Sequence, residues 1–96
     1  MKEVMLFVLK NCPYCVEALR WQEELMQEYP ELQKIPIRVV DERKEAALAE
    51  SYDYYYVPCY FVGGVKMHEG AARREKVETA LRSALLDRKS TRQNSS

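Results

Sequence analysis

The sequence is short of everything that marks a repetitive, fibrous or disulfide-stapled chain. Its 96 residues hold only 3 Gly and 4 Pro, which excludes collagen-like and low-complexity chains. Neither sign of charge is in excess: 15 Lys and Arg balance 15 Asp and Glu. A chain without net charge has no field to gather nucleic acid or an anionic membrane, so neither is expected as a partner. No apolar run approaches the roughly 20 residues that a bilayer span needs. The opening Met1-Lys2-Glu3 runs straight into Val4-Met5-Leu6-Phe7-Val8-Leu9, which is too short and too unlike a cleavable leader to read as a signal peptide. A reducing, cytoplasmic compartment is the expectation. Cysteine is scarce and odd in number, at three, which argues against a structural disulfide framework.

What remains is a globular composition, 47% apolar and 31% charged. At this length it makes one domain, because two halves would each be too small to fold unaided. No exposed heptad pattern calls for an oligomer, so a monomer is expected.

The organisation follows from hydrophobic periodicity. Residues 3–9 have no polar interruption after Glu3 and read as a strand buried on both faces. Asn11-Cys12-Pro13 breaks it, and Pro13 is well placed to open a helix from about Tyr14 to Tyr29. Ala18, Leu25 and Tyr29 recur at helical spacing, with Val16, Leu19 and Met26 widening the face, and Pro30 ends it. Ile35, Ile37 and Val39 alternate as a strand does, and Pro36 makes that strand an edge or marks its start. Asp41 is placed to cap a second helix over about Glu42–Ser51, with Asp53 as its left-handed exit. Val57–Val62 and Val65–Glu69 read as a hairpin about Gly63-Gly64. After Gly70, a last helix from about Arg73 to Asp87 carries the stripe Val77, Ala80, Leu81, Ala84, Leu85. The fold class is therefore α/β, in the order β-α-β-α-β-β-α, over residues 1–88. The two helical crossovers predict parallel pairing at the start, and the Gly-Gly turn predicts an antiparallel pair at the end. Residues 89–96 contain no apolar side chain and are expected to be a disordered tail.

Cys12 and Cys15 form Cys-x-x-Cys, which in the cytosol is a redox pair or half of a metal site. Cys12-Pro13-Tyr14-Cys15, between a first strand and a first helix, resembles the active site of a glutaredoxin. Val57-Pro58, followed by an apolar strand and Gly63-Gly64, resembles the second hallmark of the thioredoxin superfamily, a cis-proline loop facing the dithiol. Val40-Asp41-Glu42 through Tyr52 resembles the second crossover, so the likeness spans residues 3–87. It implies a thioredoxin fold: a four-stranded mixed sheet flanked by helices. Two segments depart from the pattern. Gly70-Ala71-Ala72-Arg73-Arg74 stands where glutaredoxins carry Gly-Gly-x-Asp-Asp-like residues that hold the ends of glutathione, and Gly-Ala there is closer to thioredoxin. Cys59 directly follows the presumed cis-proline.

The resemblance implies a small dithiol oxidoreductase. Cys12 at the helix N-terminus is the nucleophile, because unpaired amides and the helix dipole favour a thiolate there. It is expected to be substantially ionised at neutral pH, while Cys15, deeper in the helix, resolves the mixed disulfide. Lys10, Pro13, Tyr14, Val57, Pro58, Gly70 and Ala71 are the expected substrate-binding positions. Val57 would offer its backbone to an extended peptide or to glutathione. Expected partners are disulfide-containing proteins and, as electron donor, glutathione or a thioredoxin-type reductase. Glutathione is expected as a co-substrate and no bound cofactor is expected.

Plainer readings stand beside these. Cys12, Cys15, Cys59 and His68 make a three-cysteine, one-histidine zinc set, and a glutathione-assisted iron–sulfur cluster bridging two chains is a further binding-module alternative. Cys59 is either a third redox thiol or a small buried strand residue. His68 reads as a strand-surface residue. Tyr52, Tyr54, Tyr55, Tyr56 and Tyr60 read as packing or groove wall. Arg73 and Arg74 read as a solvated helix start or as recognition of an acidic group on the substrate.

Overall fold

The computed structural model describes residues 1–86, so the expected tail 89–96 lies outside the described residues, and the last helix, expected to reach Asp87, ends at Leu85. Strand β1 (Val4–Val8) leads to α1 (Pro13–Glu28) and a short 3-10 turn (Pro30–Lys34). Then come β2 (Ile37–Asp41), α2 (Ala46–Glu50), β3 (Cys59–Val62), β4 (Val65–Glu69) and α3 (Arg74–Leu85). The four strands form one mixed sheet in the order β2-β1-β3-β4.

All five residues of β1 are buried, as its uninterrupted apolar run requires of a central strand. Strand alternation sends Val4, Leu6 and Val8 to one face, joined there by Tyr60 and Val62. Residues of α1 and α3 cover that face, with Ala18 and Leu25 beside Val77, Ala80, Leu81 and Ala84. Met5, Phe7, Cys59 and Phe61 face the other way, onto Val40 and Ala49. The α3 stripe is buried where its period places it, with Leu85 half-buried at its end. In α1 the buried stripe is Cys15, Ala18, Gln22 and Leu25. Val16 stands 60% exposed, outside the face expected to include it. Gln22 is tolerated in the stripe because its Oε1 accepts the hydroxyl of the fully buried Tyr60 at 2.8 Å.

Three expectations need correction. Only the first crossover makes a parallel pair, β1 with β2. The second carries the chain past β1, and β3 pairs antiparallel on its far side. Helix α2 begins at Ala46 and not at Glu42. Asp41 does act as a cap, but of a separate turn: its Oδ1 accepts the Arg43 amide at 2.9 Å, and its carbonyl accepts the Lys44 and Glu45 amides at 3.0 Å. That turn uses up residues 42–45 before a helix can start. Asp53 does not exit left-handed; among the described residues the non-glycine residue with positive φ is Asn11, at 69°. Pro36 lies just outside β2, which is an edge strand, as a missing amide demands.

The short α2 cannot cover its face alone, and aromatic rings complete the layer. Tyr54 stacks on Phe7 at 4.9 Å and 22°, while Tyr52 meets Phe61 at 4.8 Å and 70°. Such pairs add about 0.5–1.5 kcal/mol beyond the area they bury.

Candidate active site

The site is built where β1 ends. The Cys12 amide donates to the Leu9 carbonyl at 3.3 Å, closing a four-residue turn. Asn11 occupies the third position of that turn at φ 69°, a conformation that Asn tolerates and branched residues resist. The turn delivers Cys12 to the N-cap of α1 and Pro13 to its first position. Cys12 is half-buried, Cys15 is 2% exposed, and neither is in a disulfide.

Leu9 also donates its own amide to the Cys15 sulfur at 3.4 Å. Burial, above all, pushes the Cys15 thiol up to about 12. The Leu9 amide opposes that shift, while the neighbouring Cys12 sulfur and then Glu42 reinforce it. Cys15 is thus held as a neutral thiol directly behind a more accessible one.

The Val57–Pro58 peptide is cis. The β1–β3 register, continued beyond Phe7 and Cys59, sets Pro58 beside Val8 at the first step and Val57 beside Leu9 at the second. Among the described residues the amide and carbonyl of Val57 form no hydrogen bond. The Pro58 carbonyl accepts the amide of Gly70, whose φ of 93° favours glycine. Ala71 is exposed, and its carbonyl lies 2.9 Å from His68 Nε2. Lys10 is exposed in the turn before Cys12, and Tyr14 is 56% exposed on the first turn of α1. Dithiol, turn and cis-proline are therefore brought together at one end of β1, and Gly70 is tied to them through Pro58.

Cys59 is not brought to this group. It is fully buried on the opposite face of the sheet, among Phe7, Phe61 and Ala49. Burial chiefly, then the Glu69 carboxylate, pushes its thiol up to about 12, with Lys66 opposing. That environment is the one expected of a packing cysteine and lacks the exposure a redox thiol needs. The zinc set consequently does not converge: among the described residues no three His, Cys, Asp and Glu side chains gather to hold a metal. Arg74 is taken up by Glu28 at the end of α1, and Arg73 remains exposed at the N-cap of α3.

Several contributors had no signal in the sequence. Leu9 acts through its backbone alone. Glu42 accepts the Tyr54 hydroxyl at 2.6 Å, a pairing across twelve residues that no periodicity announces. The tyrosines divide: Tyr52 and Tyr54 pack on the phenylalanines, Tyr60 is buried, and Tyr55 and Tyr56 are 84% and 69% exposed. An open cleft of about 510 Å³ lies on the α2 side, walled by Glu42, Arg43, Glu50, Tyr52, Tyr54 and Tyr55 among others. Neither cysteine of the dithiol lines it.

A mixed four-stranded sheet flanked by helices, with Cys-x-x-Cys opening α1 beside a cis-proline, defines a thioredoxin-like fold. The solved structures agree. A thioredoxin-like protein of uncharacterised function from Clostridium perfringens is similar at 27% identity and a TM-score of 0.64, over 88% of this chain and 71% of that one. A malarial protein shares the fold at 17% identity and a TM-score of 0.68, over 88% of this chain and 98% of its own. No protein-family profile and no curated protein matches the chain. Among the described residues no helix is long and apolar enough to cross a membrane.

Proposed function

We propose that the protein is a glutaredoxin-like dithiol oxidoreductase that reduces protein disulfides or glutathione mixed disulfides. One observation carries this reading: half-buried Cys12 at the N-cap of α1 is followed one helical turn later by buried Cys15, whose thiol burial holds neutral, and the chain also carries a cis Val57–Pro58 peptide.

The Cys12 thiolate attacks one sulfur of the substrate disulfide. The S–S bond breaks, the departing thiolate takes a proton from solvent, and a mixed disulfide to Cys12 remains. Cys15 then gives up its proton and attacks Cys12 Sγ. A Cys12–Cys15 disulfide forms, and the second substrate thiol leaves with the electron pair. The substrate has gained two electrons and two protons. Val57 holds the substrate backbone by strand addition, with Lys10, Tyr14, Gly70 and Ala71 bordering it. Two glutathione thiols, or a reductase, return the pair to the dithiol. Three free thiols fit a reducing, cytoplasmic setting.

A second reading differs in the electron donor. Gly70-Ala71-Ala72-Arg73 offers no carboxylate to the amine end of glutathione, which favours a dedicated reductase. Reduction of the oxidised pair by glutathione, beside a thioredoxin reductase control, decides between them. Reduction by glutathione, with activity on a glutathione mixed disulfide, supports the glutaredoxin reading. Reduction by the reductase alone puts the protein functionally with the thioredoxins.

A further inference from the structure

The residues from Asp53 to Val57 belong to no helix or strand, yet they deliver the cis peptide to the dithiol. Two side chains of β4 hold them. A single Glu69 carboxylate oxygen accepts the amides of Tyr55 and Tyr56, the latter at 2.9 Å. The other oxygen takes Lys66 Nζ at 2.9 Å, and Lys66 Nζ also donates to the Asp53 carbonyl at 3.3 Å. Every polar group of this clamp is therefore matched.

Lys66 and Glu69 are three residues apart, which in a regular strand places them on opposite faces. A bulge removes one step of the alternation. Phe61 pairs with Lys66 and Tyr60 with His68, which leaves Met67 as the extra residue. Lys66 and Glu69 then stand opposite Phe61 and Cys59, two residues apart on the same face and beside the tyrosine segment.

We propose that Glu69 is the positioning residue of the substrate edge: by fixing the Tyr55 and Tyr56 amides, it orients the open amide and carbonyl of Val57 toward an incoming disulfide-bearing peptide. Glu69 touches no substrate itself, and the proposal rests on the oxidoreductase reading above. Hydrogen bonds to a charged acceptor are among the stronger ones, so the segment is held more firmly than loop residues usually are.

The test is insulin reduction with dithiothreitol as electron donor, by wild type, Glu69→Ala and Glu69→Gln. Alkylation of Cys12 by iodoacetamide and hydrogen exchange of the Tyr55 and Tyr56 amides run alongside. Glu69→Ala is expected to raise KM about tenfold with kcat within about twofold, since charge-assisted bonds are lost away from the reacting sulfurs. Exchange protection at both amides is lost and Cys12 alkylation is unchanged. Glu69→Gln keeps an acceptor oxygen at the same reach and returns KM to within about threefold of wild type. Unchanged KM in Glu69→Ala despite lost protection overturns the proposal, as does an effect on kcat alone. Should Glu69→Ala not fold, Glu69→Asp decides. Its carboxylate is one methylene short of the two amides, so their exchange protection should fall and KM should rise about threefold, and an unchanged KM with lost protection overturns the proposal. Failure of the wild type to reduce insulin overturns the oxidoreductase reading and this proposal with it; insulin reduction with variant KM unaltered overturns this proposal alone.

Discussion

The amide of Leu9 donates to the sulfur of Cys15 at 3.4 Å, across six residues of chain. Its carbonyl meanwhile receives the Cys12 amide. One residue at the end of β1 thus contacts both halves of the dithiol through its backbone, while burial gives the two thiols unequal surroundings.

That inequality predicts the order of thiol reactivity. In native protein, iodoacetamide should label Cys12 first, and Cys15 and Cys59 only after unfolding, because accessible thiols react and buried neutral ones do not. Mass spectrometry of tryptic peptides checks this. Early labelling of Cys59 would contradict its burial between Phe7 and Phe61.

The same two cysteines test the resolving role. Cys12→Ser should abolish reductase activity. Cys15→Ser should accumulate mixed disulfides on Cys12 and retain removal of glutathione from a mixed disulfide, which one thiol performs. Full dithiol activity in Cys15→Ser would require a different resolving thiol.

Alkaline stability has a definite sign. Cys15 and Cys59 are both raised from 9.0 to about 12 by burial. In the unfolded chain they ionise near the ordinary value. Between the two values the unfolded state binds fewer protons, so stability is intact below about pH 9 and falls as the pH rises toward 12. Tyr54 and Tyr60, raised from 10.0, extend the same trend. Urea midpoints should be level from about pH 7 to 8.5 and decline from about pH 9.5, with a shallower decline in Cys59→Ala.

Tyr60→Phe should cost about 1–3 kcal/mol, because it leaves the buried Oε1 of Gln22 without its donor. Replacing both partners, with Gln22→Leu added, should recover part of that loss. A double-mutant cycle by urea unfolding measures the coupling.

At Asn11, φ of 69° makes the side chain matter less than the backbone. Asn11→Gly should stay within about 0.5 kcal/mol of wild type, and Asn11→Val should lose about 1–2 kcal/mol. Thermal unfolding of the two variants tests the difference.

Much of this fold is written in periodicity. The stripe of α3, the unbroken run of β1, Gly63-Gly64 and Pro36 each express a local rule that tertiary packing leaves intact. The dithiol and Val57-Pro58 were legible as motifs for the same reason, being local. What escaped is non-local or depends on the backbone alone. Helix α2 starts at Ala46 because the turn that Asp41 caps over residues 42–45 is not continued into it. The five tyrosines near Pro58 look alike in sequence, and only the sheet decides that Tyr52 and Tyr54 pack while Tyr55 and Tyr56 face outward. Glu69 reaches Tyr55 and Tyr56 only because β4 contains one residue too many for regular pairing.

That extra residue has another consequence. β4 is one of the two edges of the sheet, and the outer row of amides and carbonyls on a regular edge strand is a template for a strand from a second chain. At Met67 the spacing of that row is interrupted, and the neighbouring Lys66 adds a charge to the edge. A strand from another copy loses register when it reaches this point. The irregularity that redirects a carboxylate also makes the β4 edge a poorer template for an added strand.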